Sequence, residues 1–330
     1  MPRIIFLENN MLIVQKFGGS SLDGRERLLG AAGLAAAAYR SGKDVVVVVS
    51  ARGGRTNELI SEASGVSPAP DKRELDALLA TGEQASAALM AMALRDMGVP
   101  AVSLTGAQAG IRTYGSHGDA DISRISSKRI LTELENGRVT VVSGFQGEDE
   151  AGDTATLGRG GSDTTAAALA AALNADVCDI FTDVDGIYTA DPRLVPGAVK
   201  LAQTDYRDML LLSLAGSQVL HSKSVDVAMR HGVSLCLRSA DGVSPGTLVT
   251  ALADAERPAI AGVTRDRAAH TVTVVGKGAG GDALCAMIKA LNCAGIDSEG
   301  GETGDGFARL RVNGAQLELA LKIIHGALLE

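Results

Sequence analysis

The stretch that most constrains the fold is Asp44–Val49, an aspartate followed by five consecutive valines. A β-branched run of this length favours a strand, and the lack of any polar alternation requires both of its faces to be covered. Such strands belong to parallel sheets with helices on both sides. Ser50-Ala51-Arg52-Gly53-Gly54 follows at once, so the strand ends in a glycine turn. The same grammar recurs along the chain. Met11–Gln15 runs into Lys16-Phe17-Gly18-Gly19, Val99–Leu104 into Thr105-Gly106, and Val139–Ser143 into Gly144-Phe145-Gln146-Gly147. Val177–Phe181 runs into Thr182-Asp183-Val184-Asp185-Gly186. Helical patterns lie between: Arg25–Tyr39, Glu74–Met97 with a break expected at Thr81-Gly82-Glu83, where the glycine marks a boundary or a close approach, Ser127–Asn136 and Thr164–Leu173. Alternating strands and helices predict a three-layer α/β sandwich around a mostly parallel sheet, with ligand loops at the carboxyl ends of the strands.

Composition narrows the classes of function. The chain has 330 residues, 46% of them hydrophobic but only 3% aromatic, so small aliphatic side chains must fill the core. A net charge of −8 argues against a nucleic-acid surface. No apolar run reads as a membrane span, and residues 1–10 lack the pattern of a secretory leader. Cys178, Cys236, Cys285 and Cys293 form no CxxC pair, and all four are expected in the reduced core of a cytoplasmic protein, with no metal site. Arg112–Asp121 is expected to be an exposed excursion, with His117 a solvated loop residue. Beyond Arg193, helices are expected at Tyr206–Leu214 and Gln218–Arg230, and strands at Val233–Arg238 and Thr247–Thr250. Residues 1–250 form the first expected domain. Residues 257–330 form a small α+β domain, with strands His270–Val275 and Phe307–Val312 and helices Ala283–Ala294 and Gln316–Leu328. About 70 residues make a small independent core, so pairing with a second copy, as a homodimer or larger homo-oligomer, is expected.

The chemistry concentrates in Thr154–Arg193. Leu157-Gly158-Arg159-Gly160-Gly161-Ser162-Asp163 is a glycine-rich turn opening a helix. Backbone N–H groups at such a helix start favour negative charge, and Arg159 can fork onto a carboxylate or phosphate. A turn with an aspartate helix cap would explain the loop equally well; the acidic turn one strand later favours a site.

Taken in order, these motifs resemble the aspartokinases of the amino-acid kinase superfamily. The matching segments are Lys16–Ser21, Ser50–Asn57, Leu75–Glu83, Ser103–Gly106 with Gln108–Gly110, Gly144–Gly147, Thr156–Thr165 and Thr182–Arg193. The region from Ile260 onward resembles an ACT-type regulatory module. The resemblance implies ATP- and Mg²⁺-dependent phosphorylation of the side-chain carboxylate of L-aspartate. Lys16, Gly18 and Gly19 would hold the ATP phosphates, and Thr182, Asp183, Tyr188 and Arg193 the nucleotide. Ser50, Thr56, Glu83, Arg159 and Ser162 would hold aspartate. Lys16 and Asp163 would act at the transferred group, Asp163 by organising the lysine and glycine amides. Gln218 occupies a nucleotide-binding position where the family usually carries lysine. On the helix expected there, Lys223 would project to another face. The glycine loop Gly276–Gly281 lacks the aspartate and proline usual in an effector turn, which implies insensitivity to feedback. Two other readings stay open: a kinase for another acidic metabolite, and a catalytically impaired regulatory paralogue.

Overall fold

The structure, a computed structural model, describes residues 10–242 and 244–329. The expectation of no leader in residues 1–10 therefore falls almost wholly outside the described residues. In chain order the elements are β1 (Leu12–Phe17), α1 (Gly24–Arg40), β2 (Asp44–Val49), α2 (Arg55–Val66), α3 (Lys72–Asp96), β3 (Ala101–Leu104), β4 (Ile111–Ser116) and β5 (Asp119–Ile125). They continue with α4 (Lys128–Glu135), β6 (Val139–Ser143), β7 (Gln146–Glu148), β8 (Thr154–Thr156), α5 (Gly161–Leu173) and β9 (Val177–Thr182). Next come β10 (Gln203–Asp205), α6 (Tyr206–Leu214), α7 (Ser222–His231), β11 (Leu235–Ser239) and β12 (Thr247–Thr250). The last are β13 (Gly262–Asp266), β14 (Thr271–Val275), α8 (Gly281–Cys293), β15 (Ser298–Gly304), β16 (Phe307–Val312) and α9 (Leu317–Leu329).

The chain divides into two compact units. The first holds residues up to Asp183 together with Val233–Pro245; the second holds Val184–Gly232 and the residues from Gly246 onward.

In the first unit a parallel sheet runs in the order β11-β9-β1-β2-β6-β3. The five valines of β2 are fully buried at its centre, as their unbroken apolar character requires. Ile13, Val45, Val47, Val49, Val139 and Val141 face one side and pack with α1 and α3. On that face the Phe17 and Phe181 rings stack, with centroids 4.7 Å apart. Helix α5 packs on β1, β2 and β9. Its stretch of alanines lets it lie close to the sheet. Hydrogen bonding continues past the strand ends: Gly18 N–H donates to Phe181 O, Ser50 N–H to Phe17 O, and Gly144 N–H to Val49 O. The loops that follow β1, β2 and β6 are thus in register at one edge.

Several expectations need correction here. Helix α3 is continuous through Thr81-Gly82-Glu83. Gly82 is there for close approach, because a Cβ at that position would stand 2.9 Å from the Ala51 Cβ. Helix α3 is also, among the described residues, a helix long and apolar enough in composition to span a membrane, with 56% of its apolar window buried. The segment Arg112–Asp121, expected to be an exposed excursion, is exposed at Tyr114–Ser116, Gly118, Asp119 and Asp121, but it is built as the β4–β5 hairpin turning at His117-Gly118, with Thr113 and Ala120 buried. It belongs to a second sheet, β5-β4-β7-β8.

In the second unit, β10 and β12 pair in parallel. Strands β13-β14-β16-β15 form an antiparallel sheet whose apolar face packs with α8 and α9. Strands β13 and β15 had no apolar alternation to announce them. Cys285 and Cys293 are exposed rather than buried. The core stripe of α8 is Ala283, Met287 and Leu291, spaced four apart, which turns both thiols away. Cys178 and Cys236 are buried as expected. Gln218 is an exposed loop residue between α6 and α7, so a helical face does not relate it to Lys223.

The contact at Gly82 yields a test. Gly82→Val would drive a branched side chain into Ala51 and lower stability by about 1–3 kcal/mol, despite its better helix propensity than glycine. The fall in urea midpoint, compared with that of Met92→Ala at an exposed position of the same helix, measures it.

Candidate active site

At the carboxyl edge of the parallel sheet lies a cavity of about 240 Å³. Lys16, Ser50, Thr56, Glu83, Arg159, Ser162 and Asp163 all line it, together with Ala51, Phe145 and the glycines of the 158–161 loop. These seven residues come from four segments of the first unit.

Lys16 is the fifth residue of β1 and is 8% exposed. Its Nζ lies 2.6 Å from Asp163 Oδ1. A Cβ on Gly18 would come within 3.4 Å of that ammonium, and one on Gly19 within 2.6 Å of Ala51 O. The turn therefore needs glycine at position 19 to pass beside the β2 loop, whereas the contact at Gly18 is an ordinary one. Asp163 sits in the first turn of α5, where a carboxylate also meets the positive end of the helix dipole. No side chain caps that helix, and Gly160 enters it with φ +73°, so its leading N–H groups face the cavity region without a side-chain acceptor.

Glu83 is 4% exposed. Ala51 N–H donates to its Oε1 at 2.8 Å, while Oε2 is buried without a hydrogen-bond partner. Burial pushes its carboxyl up to about 7, against the smaller opposing pull of the Ala51 N–H. A buried carboxylate oxygen turned toward a cavity lacks a cation. Arg159, by contrast, is exposed at the mouth. Ser162 is buried, and its side chain bounds Gly144, where a Cβ would stand 2.9 Å from Ser162 Oγ. The site combines an anchored ammonium, a free guanidinium, a carboxylate in need of positive charge, and the hydroxyls of Ser50, Thr56 and Ser162.

Thr182 ends β9, Asp183 follows it, and neither lines this cavity; Thr182 Oγ1 donates to Asp183 Oδ1 at 3.0 Å. Tyr188, Arg193 and Gln218 belong to the second unit. There the Tyr188 hydroxyl donates to Asp185 Oδ1 at 2.9 Å, and Lys200 Nζ binds Asp185 Oδ2 at 3.1 Å. The Lys200 hydrogen bond, with help from Tyr188, holds the Asp185 carboxyl below its usual range. Arg193 forks onto Asp191.

Sequence reasoning passed over three residues. Phe145 lines the cavity with φ +70°, its N–H donating to Thr165 Oγ1 and its carbonyl accepting from Leu157 N–H. Lys200 braces Asp185. Asp76, buried on α3, binds His117, so that histidine is not solvated. A trace of Asp76 was legible, since it lies seven residues before Glu83 and so on the same helical face. Phe145 falls in the Gly144–Gly147 turn, which placed it near the ligand edge without a role, and Lys200 carries no local signal.

The chain belongs to the amino acid kinase family, whose model matches residues 11–239. Within that family it sits among the aspartokinases. It is 48% identical over 269 residues to the aspartokinase of Corynebacterium glutamicum, covering 80% of this chain and 64% of that protein. It is 47% identical over 281 residues to aspartokinase 2 of Bacillus subtilis, covering 85% and 69%. The chain thus spans less than two thirds of the Corynebacterium relative. Among solved structures, aspartate kinase from Synechocystis matches with 38% identity and a TM-score of 0.67, over 94% of this chain and 54% of that one. Escherichia coli aspartokinase III in complex with aspartate and ADP matches with a TM-score of 0.85, over 97% and 100%; at 20% identity it speaks for the fold alone.

The state of Glu83 sets a pH dependence. A carboxyl raised from 4.5 to about 7 in the fold stabilises below 4.5 and loses that contribution as pH climbs through 7. Glu83→Gln keeps the acceptor for Ala51 N–H and cannot ionise. Relative to wild type it should gain stability between pH 5 and 8, by at most about 3 kcal/mol. Denaturant melts of both proteins at the two pH values provide the check.

Proposed function

We propose that this chain is an aspartate kinase, transferring the γ-phosphoryl group of ATP to the β-carboxylate of L-aspartate. The observation that carries the reading is the unsatisfied, buried Glu83 oxygen sharing one small cavity with Lys16 and Arg159. An α-ammonium against Glu83 and an α-carboxylate against Arg159 would orient an amino diacid with its second carboxylate free to react. The two serine hydroxyls and Thr56 supply further donors along the same wall.

The reaction needs little proton chemistry. A carboxylate oxygen forms the new P–O bond, the β–γ bridging P–O bond breaks, and its electron pair leaves on ADP. The nucleophile is already ionised at neutral pH, so no general base is required. What the residues must supply is position and compensating charge. Lys16 offers an ammonium whose direction is fixed by Asp163 at 2.6 Å, and the glycine amides around it suit a polyphosphate. Among the described residues no group of three or more His, Cys, Asp or Glu could hold a metal ion by itself. Mg²⁺ fits here as a cation carried mainly by nucleotide phosphates, where it would offset their charge. Thr182, Asp183, Tyr188 and Arg193 are assigned to the nucleotide on the family pattern, as are the cytoplasmic setting, an ACT-like role for the 257–330 segment, and homo-oligomerisation through it.

Gln218 bears on the rate. A neutral amide where relatives of this type carry lysine removes one positive charge from the transferring group, on the order of 10²-fold in rate. Trapping the acyl phosphate with hydroxylamine tests the whole proposal. ATP, Mg²⁺ and aspartate should yield hydroxamate; its formation only with another acid, or with none, would defeat the reading. Gln218→Lys should raise kcat about ten- to a hundredfold, and an unchanged rate would show that glutamine has its own role. Titration of the apo protein with aspartate near pH 7 should release protons, because a bound ammonium favours ionised Glu83. Calorimetry in two buffers of different ionisation enthalpy reads that release.

A further inference from the structure

We infer that Asp76 is a positioning residue for the acceptor pocket, acting through the loop that carries Arg159. The inference rests on the aspartate reading above for its kinetic consequence but not for its structural one.

Asp76 is 1% exposed and lies two helical turns before Glu83 on α3. Its Oδ2 accepts from Gly118 N–H at 3.0 Å and Thr156 N–H at 2.8 Å, and stands 3.0 Å from His117 Nδ1. Its Oδ1 accepts from the Thr156 hydroxyl at 2.6 Å. One carboxylate therefore holds the β4–β5 turn and the last residue of β8. Thr156 is followed directly by Leu157-Gly158-Arg159, so its anchoring sets where the glycine loop begins. The loop then rests on the same turn. A Cβ on Gly158 would stand 2.8 Å from Asp119 Oδ1 and 3.1 Å from Gly118 O, and Gly158 has φ +69°. The turn that Asp76 fixes is the floor on which Arg159 is presented. Arg159 is exposed and no other ion pair holds it among the described contacts, so its placement depends on this backbone. The helix that aims Glu83 at one end of the substrate thus also sets the loop that aims Arg159 at the other.

A carboxylate suits this role and an amide does not. Backbone and hydroxyl donors converge on both oxygens, which a carboxylate accepts on its several lone pairs. Asparagine can keep its one oxygen on the Gly118 and Thr156 N–H groups only by turning its NH₂ onto the Thr156 hydroxyl, and it replaces the charge-assisted bonds to both groups with weaker neutral ones.

Hydrogen exchange and steady-state kinetics on the full chain test the inference together. In Asp76→Asn, exchange of the 156–163 amides should speed up, while that of the β1 and β2 amides stays as in wild type. KM for aspartate should rise about tenfold or more, with KM for ATP within about twofold. Thr156→Val, which removes only the hydroxyl bond, should shift both readouts the same way to a smaller extent, and Thr156→Ser should restore them. If Asp76→Asn does not fold, the Thr156 pair carries the test. Unchanged exchange in 156–163 in the folded variants, or equal rises in both KM values, would overturn the inference. A wild-type protein inert toward aspartate would defeat the kinase reading and leave the exchange result to stand alone.

Discussion

The bond from Ala51 N–H to Glu83 Oε1 is the constraint around which the first unit is arranged. It joins the turn after the central strand to the middle of the longest helix, at 2.8 Å and out of water. For that bond to form, α3 must lie against the turn closely enough that only glycine fits at position 82. The same closeness leaves the second Glu83 oxygen facing the cavity with no protein partner. A fold that pays desolvation for a carboxylate and then satisfies half of it is holding the other half for a ligand. Lys16 and Asp163, close by, are the opposite arrangement: two charges already compensating each other, ready to be shared with a phosphate.

Much of this was legible in the residues. The valine run defined β2, and glycine clusters at strand ends located the cavity edge before any coordinates. The lining residues Lys16, Ser50, Thr56, Glu83, Arg159 and Ser162 were named from motif order. What was not legible depends on distance across the fold. A glycine in a helical pattern reads either as a break or as a close approach, and the neighbouring Ala51 decides for the approach. His117 reads as a loop residue because its partner lies 41 positions earlier. Strand β15, Ser-Glu-Gly-Gly-Glu-Thr-Gly, has no apolar face, since it is an edge strand with almost wholly exposed side chains. The thiols of α8 could be placed only by knowing which stripe of that helix packs inward.

The two ends of the proposed acceptor site differ in how they are made. Glu83 is built into a helix and held by burial. Arg159 is displayed on a glycine loop whose rigidity is borrowed from Asp76 and the β4–β5 turn. A site made this way presents an exposed guanidinium at its rim while the Glu83 carboxyl stays fixed within a buried helix face. Phe145, kept at a positive φ by bonds on both sides of its peptide unit, gives the same cavity a stiff wall.

In the second unit, Thr189 accepts from Val263 N–H through its carbonyl, and its hydroxyl meets His325 Nε2 at 2.9 Å, across 136 positions. The segment carrying Tyr188 is thus laid down against partners translated long after it. During synthesis at about 5–20 residues per second it must wait several seconds for its final neighbours. A nascent chain released early would carry the glycine loops complete and this segment unsupported, so ribosomal progress itself decides when the second unit can close.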